Sequence, residues 1–323
     1  MSAVRSAMLC MIVIAAIPSS AQTRHIELRH ISTVDGLSEN TVYCIEQDRY
    51  GFMWFGTQTG LNQYDGYRFT VYRNDPRDST SLSHDYINAL HEDPQGVLWI
   101  GTNAGGLNRF NRFQNRFDVF RNDPEDSTSL PNDYVQCLFT DRDGRFWVGT
   151  AAGLACMQSG SGSFRILLRG YSIRSVYEDA RGRLWVGTSL NGLFRLDSDG
   201  NSVRHYVHDP QTPDGLRSND VRAVAEDSDG NIWVGTIDGG MHLYLEESDT
   251  FVPFRHDAGR PTSLRNNTVF TLYLNRNGVF LAGLENGGIQ TVRRTGGPSG
   301  KPEAEFHSYV KEFGIFGDGM GNA

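Results

Sequence analysis

Residues 93–107 read DPQGVLWIGTNAGGL, and this stretch has relatives along the chain. They stand at 48–61, 141–154, 179–193 and 227–241, and a worn sixth copy at 275–289 carries Leu281 where the others have tryptophan. All five tryptophans of the protein, Trp54, Trp99, Trp147, Trp185 and Trp233, fill that one slot. Counting Leu281, successive slots are 45, 48, 38, 48 and 48 residues apart. Periods of that size denote stacked supersecondary units.

The unit is legible from its chemistry. Asp-x-x-Gly is a tight-turn signal between two apolar runs, as in Asp141-Arg142-Asp143-Gly144. In that repeat the pattern predicts short strands at 135–139, 145–150, 154–157 and 163–168, joined by hairpins that leave no room for a helix. Four strands per period of about 40–50 residues is the arithmetic of a β-propeller blade. The fold class expected is all-β, a propeller of four-stranded blades with six recognisable repeats and an incomplete seventh.

A tryptophan on the second strand of a blade buries about 150–250 Å² against its neighbour, worth on the order of 4–6 kcal/mol. The glycine two residues later (Gly56, Gly101, Gly149, Gly187, Gly235, Gly283) points to the same face. Interior glycine weakens a strand, so its recurrence implies that another group packs against it. The motif is therefore architectural, and the tryptophans are not expected to be ligand platforms.

The 323 residues carry a net charge of −8, which favours neither nucleic acid nor an anionic membrane. Residues 1–21 stand apart. Arg5 precedes the apolar run 7–17, followed by Pro18 and the small residues Ser19-Ser20-Ala21. That is the layout of a secretory signal peptide cleaved after Ala21, leaving 22–323 as an exported propeller in the periplasm or outside the cell. Cys44, Cys137 and Cys156 would remain. Their odd number and the lack of a CxxC pair argue for buried thiols over a disulfide framework or zinc site.

A second motif precedes each first strand: 82–87 reads LSHDYI, with relatives at 37–42, 130–135, 216–221 and 264–269. Two residues before the strand's Val or Ile stands Asn40, Asp85, Asp133, Asn219 or Asn267, suited to bonding backbone N–H groups as the chain turns inward. The shorter fourth repeat has Tyr171 there. Together, the D-x-x-G-x-[LIF]-W-[VI]-G-T-x-x-G-G-L pattern and this lead-in resemble the two-component regulator propeller family over about residues 25–323. The resemblance implies the periplasmic sensor region of a hybrid histidine kinase, often one that recognises oligosaccharides. It also implies a kinase as partner, either a separate chain or a C-terminal region, since no kinase histidine box or nucleotide-binding glycines occur within these residues.

Motifs that would carry chemistry are weak. The Asp-x-Asp-Gly turns at 141–144, 197–200 and 227–230 lack the later carboxylates of a calcium loop. The nine histidines are scattered, and His208 and His256 match the turn residues Asn74 and Asn122. No catalytic residue, metal site or cofactor is assigned. A binding site follows from geometry instead: in propellers the loops from fourth to first strand and from second to third converge around the central channel. Here they carry Tyr86, Tyr134, Tyr171, Asp220, Asp238 and Glu285, with Asn103, Asn191 and Asn286. Aromatic rings with amides and carboxylates suit a sugar, whose apolar faces stack and whose hydroxyls need acceptors. The rival expectations are a propeller lyase or hydrolase acting on polysaccharide, and a protein-interaction scaffold.

Fourth-strand signals number seven, from 26–31 to 304–310, against six sets of first, second and third strands. The tail 314–320 echoes the lead-in 36–42. A ring truncated within its seventh blade, prone to self-association through an open flank, is therefore expected. The competing solution is a six-bladed ring in which 289–292 pairs with 26–31 and 304–310 hangs free.

Overall fold

A computed structural model describes residues 30–158, 162–197, 203–296 and 302–309, and in it each repeat forms one four-stranded antiparallel sheet, six in all. Blade 1 comprises Cys44–Gln47, Met53–Thr57, Gly60–Tyr64 and Phe69–Tyr72; blade 2, Ile87–Glu92, Leu98–Thr102, Leu107–Asn111 and Arg116–Phe120. Blade 3 comprises Val135–Thr140, Phe146–Thr150, Gly153–Met157 and Phe164–Leu167; blade 4, Ile173–Glu178, Leu184–Thr188, Leu193–Leu196 and Val203–Tyr206. Blade 5 comprises Val221–Glu226, Ile232–Thr236, Gly240–Leu245 and Thr250–Phe254; blade 6, Val269–Leu274, Phe280–Leu284, Gly288–Gly296 and Pro302–Ser308. Within every sheet the strands run in sequence order, and the first strands of consecutive blades pack side by side from blade 1 to blade 6 around the central axis. The expected signal peptide, most of the 26–31 segment, the 197–200 turn except Asp197, and the 314–320 echo lie outside the described residues.

The tryptophan slot is architectural, with a polar half the sequence did not disclose. Each indole Nε1–H donates to the aspartate that opens its own turn: Asp48 to Trp54 at 2.7 Å, Asp93 to Trp99 at 2.9 Å, Asp141 to Trp147 at 2.7 Å, Asp179 to Trp185 at 2.8 Å and Asp227 to Trp233 at 2.7 Å. The other carboxylate oxygen of the same aspartate accepts backbone N–H groups of the turn. Arginine completes the clamp in three blades: Arg112 reaches Asp48 at 2.8 Å, Arg145 reaches Asp141 at 2.6 Å and Arg183 reaches Asp179 at 2.7 Å. A buried indole N–H and a buried carboxylate would each be costly alone, and here each satisfies the other. The sixth copy loses both partners together, with Asn275 and Leu281 in the two slots.

The glycine two residues after the tryptophan makes room for the next blade. A Cβ on Gly56 would lie 2.7 Å from Ile87, one on Gly101 2.5 Å from Val135, and one on Gly149 2.8 Å from Ile173. Gly187 and Gly235 face Val221 and Val269 in the same way, each at 2.8 Å. Each first strand thus drives its leading Val or Ile into a notch of the preceding blade, and all five of these side chains are fully buried. At Gly283 only Thr271 of the same blade comes within 4 Å. Val42, the blade 1 counterpart, is only half-buried. Among the described residues the notch of blade 6 therefore stays unfilled, and Ile45 of blade 1 and Tyr273 and Ile289 of blade 6 are exposed on the two flanks.

The outermost strand of blade 6 is Pro302–Ser308, registered on the third strand with Phe306 opposite Val292. The alternative in which this segment hangs free and 289–292 takes another partner is thereby overturned.

Asn40 accepts from Thr33 N, seven residues upstream, and the other four lead-in aspartates and asparagines bond backbone N–H groups eleven residues upstream. Asp85 Oδ1 accepts from Asn74 N at 2.7 Å, Asp133 from Asn122 at 2.6 Å, Asn219 from His208 at 2.7 Å and Asn267 from His256 at 2.7 Å. The match of His208 and His256 to Asn74 and Asn122 extends to the side chains, since all four bond the carbonyl oxygen of the lead-in leucine. One more buried polar slot stands on the third strands. Asn62, Asn108, His242 and Gln290 each accept the backbone N–H of the residue after that leucine, at 2.9–3.0 Å. His242 is fully buried, its Nδ1–H facing Val234 O while Nε2 accepts from Arg217 N, which fixes a neutral imidazole with a pKa pushed down to about 3 by burial.

Candidate functional site

The first strands of blades 2 to 6 each enter their sheet through a β-bulge. The register slips between Ile87 and Ala89, Val135 and Cys137, Ile173 and Ser175, Val221 and Ala223, and Val269 and Thr271. The extra residue in each case is Asn88, Gln136, Arg174, Arg222 or Phe270. In blade 1 Tyr43 holds the same place, its N–H bonded to Gly56 O at 2.9 Å. A bulge leaves one residue outside the ladder and re-aims its side chain, and bulges are frequent next to binding sites for that reason. These residues lie on the innermost strands, at the end shared with the second-to-third-strand loops.

A repeated backbone bond locks the arrangement. The loop residue after the conserved threonine or its replacement donates to the carbonyl just before each first strand: Asn103 to Tyr86, Ala151 to Tyr134, Ser189 to Ser172, Ile237 to Asp220 and Glu285 to Thr268, at 2.9–3.1 Å. The bulge residues and these loops together rim the mouth of the channel.

The rim is not uniform. On one side Tyr43 and Tyr86 lie with ring centroids 4.9 Å apart, and Gln58 Nε2 donates to the Tyr43 hydroxyl at 2.6 Å. Burial, then the neighbouring Tyr43 hydroxyl, hold the Tyr86 phenol above its ordinary range, and Tyr134 is close enough to add to the effect. Next, Asn88 Nδ2 donates to Val135 O at 3.1 Å and Ser172 Oγ donates to Gln136 Oε1 at 3.1 Å, so these two bulge residues tie blade 2 to blade 3 and blade 3 to blade 4. On the far side stand Arg174 and Arg222. Arg222 Nε is 3.3 Å from Asp220 Oδ1 but without hydrogen-bond geometry, and both atoms are buried with no hydrogen-bond partner. Arg174 Nε is buried and unpartnered too, and its Nη2 makes a single long contact of 3.5 Å with Ser189. The Arg222 guanidinium is held below the usual arginine range by burial and then by the charge of Arg174.

Among the residues expected from sequence, Tyr86, Tyr134 and Asp220 come to this mouth. Tyr171 turns toward the outer strands, packing edge-on against Phe194 at 4.9 Å and near His205. Asp238 and Glu285 are exposed on the surrounding loops, with Asp238 Oδ1 accepting from Thr268 Oγ1 at 3.2 Å. Sequence reading passed over Arg174, Arg222 and Tyr43. The signal was available: between a constant Val or Ile and a small residue, one position runs Tyr, Asn, Gln, Arg, Arg, Phe through otherwise regular repeats. Two grooves of about 690 and 670 Å³ lie elsewhere, along blade 6 and under the turn-side end of blades 4 and 5. Most of their lining belongs to turns and strand faces that the repeats use for packing.

The two-component regulator propeller repeat matches residues 36–59, 81–104, 129–152, 167–189 and 215–238. Five of its six repeats are thus two-component regulator propeller repeats. The extracellular domain of a hybrid two-component system from B. thetaiotaomicron is 26% identical, with a TM-score of 0.64, over 82% of this chain and 42% of that one. A histidine kinase P4 of Formosa agariphila is 47% identical over 68 residues, which are 21% of this chain and 5% of that protein. The chain thus spans less than half the length of these regulator relatives. Virginiamycin B lyase of Staphylococcus aureus shares the fold at 14% identity and a TM-score of 0.58, over 84% of this chain and 85% of that one. This regulator propeller is therefore homologous to extracellular sensor domains, on a fold that also serves enzymes. Among its described residues no helix is long and apolar enough to cross a membrane.

Proposed function

We propose that this regulator propeller is the exported sensing part of a hybrid two-component system and binds an oligosaccharide-class ligand at the channel mouth. The observation that carries the proposal is the set of bulge residues: the repeats hold their core positions nearly constant and diversify the one side chain per blade that faces the axis. Half-buried tyrosines beside amide and charged groups give a ring-stacking surface with hydrogen-bonding partners around it. Export through residues 1–21 and signalling to a histidine kinase, as a separate chain or a further region, complete the proposal. The bulge positions hold only aromatic, amide and guanidinium side chains, which favours binding over hydrolytic or lyase chemistry. The exposed flanks at Ile45 and Tyr273 offer a surface for self-association.

The test is a glycan screen of the purified chain followed by calorimetry. A binder should emerge, and joint Tyr86→Ala and Tyr134→Ala substitution should weaken it at least about tenfold while leaving the melting temperature nearly unchanged. Undiminished binding in that double variant would remove the mouth as the site.

A further inference from the structure

The chain carries a net charge of −8, yet two successive bulge positions at its channel mouth are arginines, Arg174 and Arg222, with Asp220 beside Arg222. Among the described residues Arg174 forms no ion pair, and Arg222 has only the misaligned contact with Asp220. Both Nε–H donors are buried and unpartnered. Buried donors are normally satisfied, and one left open in a native structure calls for an explanation, of which an arriving ion is one. A bracing role fits poorly. Asn88 and Ser172 reach across to an adjacent blade, whereas the contacts made by Arg174 and Arg222 stay within their own repeats. Asp220 offsets part of the mutual repulsion of the two arginines, and a bound anion would offset more. A guanidinium presents a planar fork of donors that matches the two oxygens of a carboxylate or sulfate.

We infer that the ligand is an anionic saccharide, clasped through a carboxylate or sulfate group by Arg174 and Arg222 while a sugar ring lies on the Tyr43, Tyr86 and Tyr134 side. This rests on the proposal that the mouth is the ligand-binding face. Tyr134 stands between the two halves, leading into blade 3 between Tyr86 at the entry to blade 2 and Arg174 on blade 4. Asp220 then has two uses. It holds Arg222 in place when the mouth is empty, and its unpartnered oxygen accepts a sugar hydroxyl when the anion takes over the arginine.

The experiment is isothermal titration of the full chain with three probes: an oligogalacturonide tetrasaccharide, a carrageenan tetrasaccharide bearing sulfate esters, and the uncharged cellotetraose. Arg174→Met, Arg222→Met and Tyr86→Ala variants are run beside the wild type, each checked for an unchanged melting temperature. Expected is binding of one acidic probe, weaker by at least about tenfold in either arginine variant and in Tyr86→Ala. Affinity should fall as salt is raised from about 0.05 to 0.5 M. Which acidic probe binds distinguishes carboxylate from sulfate. Cellotetraose bound with a loss in Tyr86→Ala but none in either arginine variant overturns the anion assignment and leaves the mouth as the site. Acidic-probe binding indifferent to all three substitutions overturns both. Failure of both acidic probes to bind at about 1 mM also overturns the anion assignment.

Discussion

The buried imidazole of His242 makes the stability of blade 5 depend on pH in a calculable way. In the folded chain its pKa is pushed down to about 3, because full burial of the ring outweighs the Val234 carbonyl that favours the charged form. In the unfolded chain it returns to about 6.5. Above pH 6.5 the ring is neutral in both states and its contribution is fully present. As the pH falls below 6.5 the unfolded state takes up a proton that the folded state refuses, so stability is lost progressively down to about pH 3. Between pH 7.5 and 5.0 the loss from this one group is about 2 kcal/mol. The perturbation is His242→Asn, the residue type that fills the same slot as Asn62 and Asn108. Wild type and variant are unfolded in urea at pH 7.5 and 5.0 and followed by tryptophan fluorescence. The variant should lose about 2 kcal/mol less than the wild type over that interval, and His91, whose pKa burial also lowers, leaves a common remainder in both. Identical losses in the two proteins would refute the buried neutral imidazole.

Four further outcomes are expected. Trp99→Ala should cost about 3–5 kcal/mol, because the indole is only 5% exposed, stacks on Phe146 of the next blade at 4.7 Å and bonds Asp93; a loss below about 1 kcal/mol by urea denaturation would contradict this. Asp141→Ala would pass for a neutral turn change on sequence grounds, but Asp141 is 4% exposed and holds Trp147, Arg145 and a backbone N–H. It should lower stability by about 2–4 kcal/mol, measurable as a drop in melting temperature. In the native state Cys44 and Cys137 should resist iodoacetamide at pH 8 and react once unfolded, since burial raises both thiols, Cys137 to about 12; rapid native alkylation counted by mass spectrometry would disprove that packing. Ile45→Asp with Tyr273→Asp should shift sedimentation toward the monomer if the exposed flanks associate, and an unchanged distribution would dismiss that surface.

The sequence by itself determined the architecture, because a propeller blade is a local object. Its four strands, its turns and its tryptophan all lie within one period, so every contact that defines the unit is encoded at short separation and repeated. The second and third strands expected for residues 145–157 fall within one residue of those observed, and the equivalence of His208 and His256 with asparagines held down to the same carbonyl bond. What only the tertiary structure decided are relations between repeats and slots that periodicity treats as equal. The turn aspartate and the tryptophan are six residues apart, yet only the fold brings carboxylate and indole together. The five filled glycine notches and the open one at Gly283 depend on what the next blade inserts. The mouth is the clearest case. A one-residue slip in their first strands takes Arg174 and Arg222 out of the alternation that pattern reading assumes and re-aims them toward the channel mouth. A bulge leaves no mark on hydrophobic periodicity except one residue too many, and convergence on an axis leaves none at all.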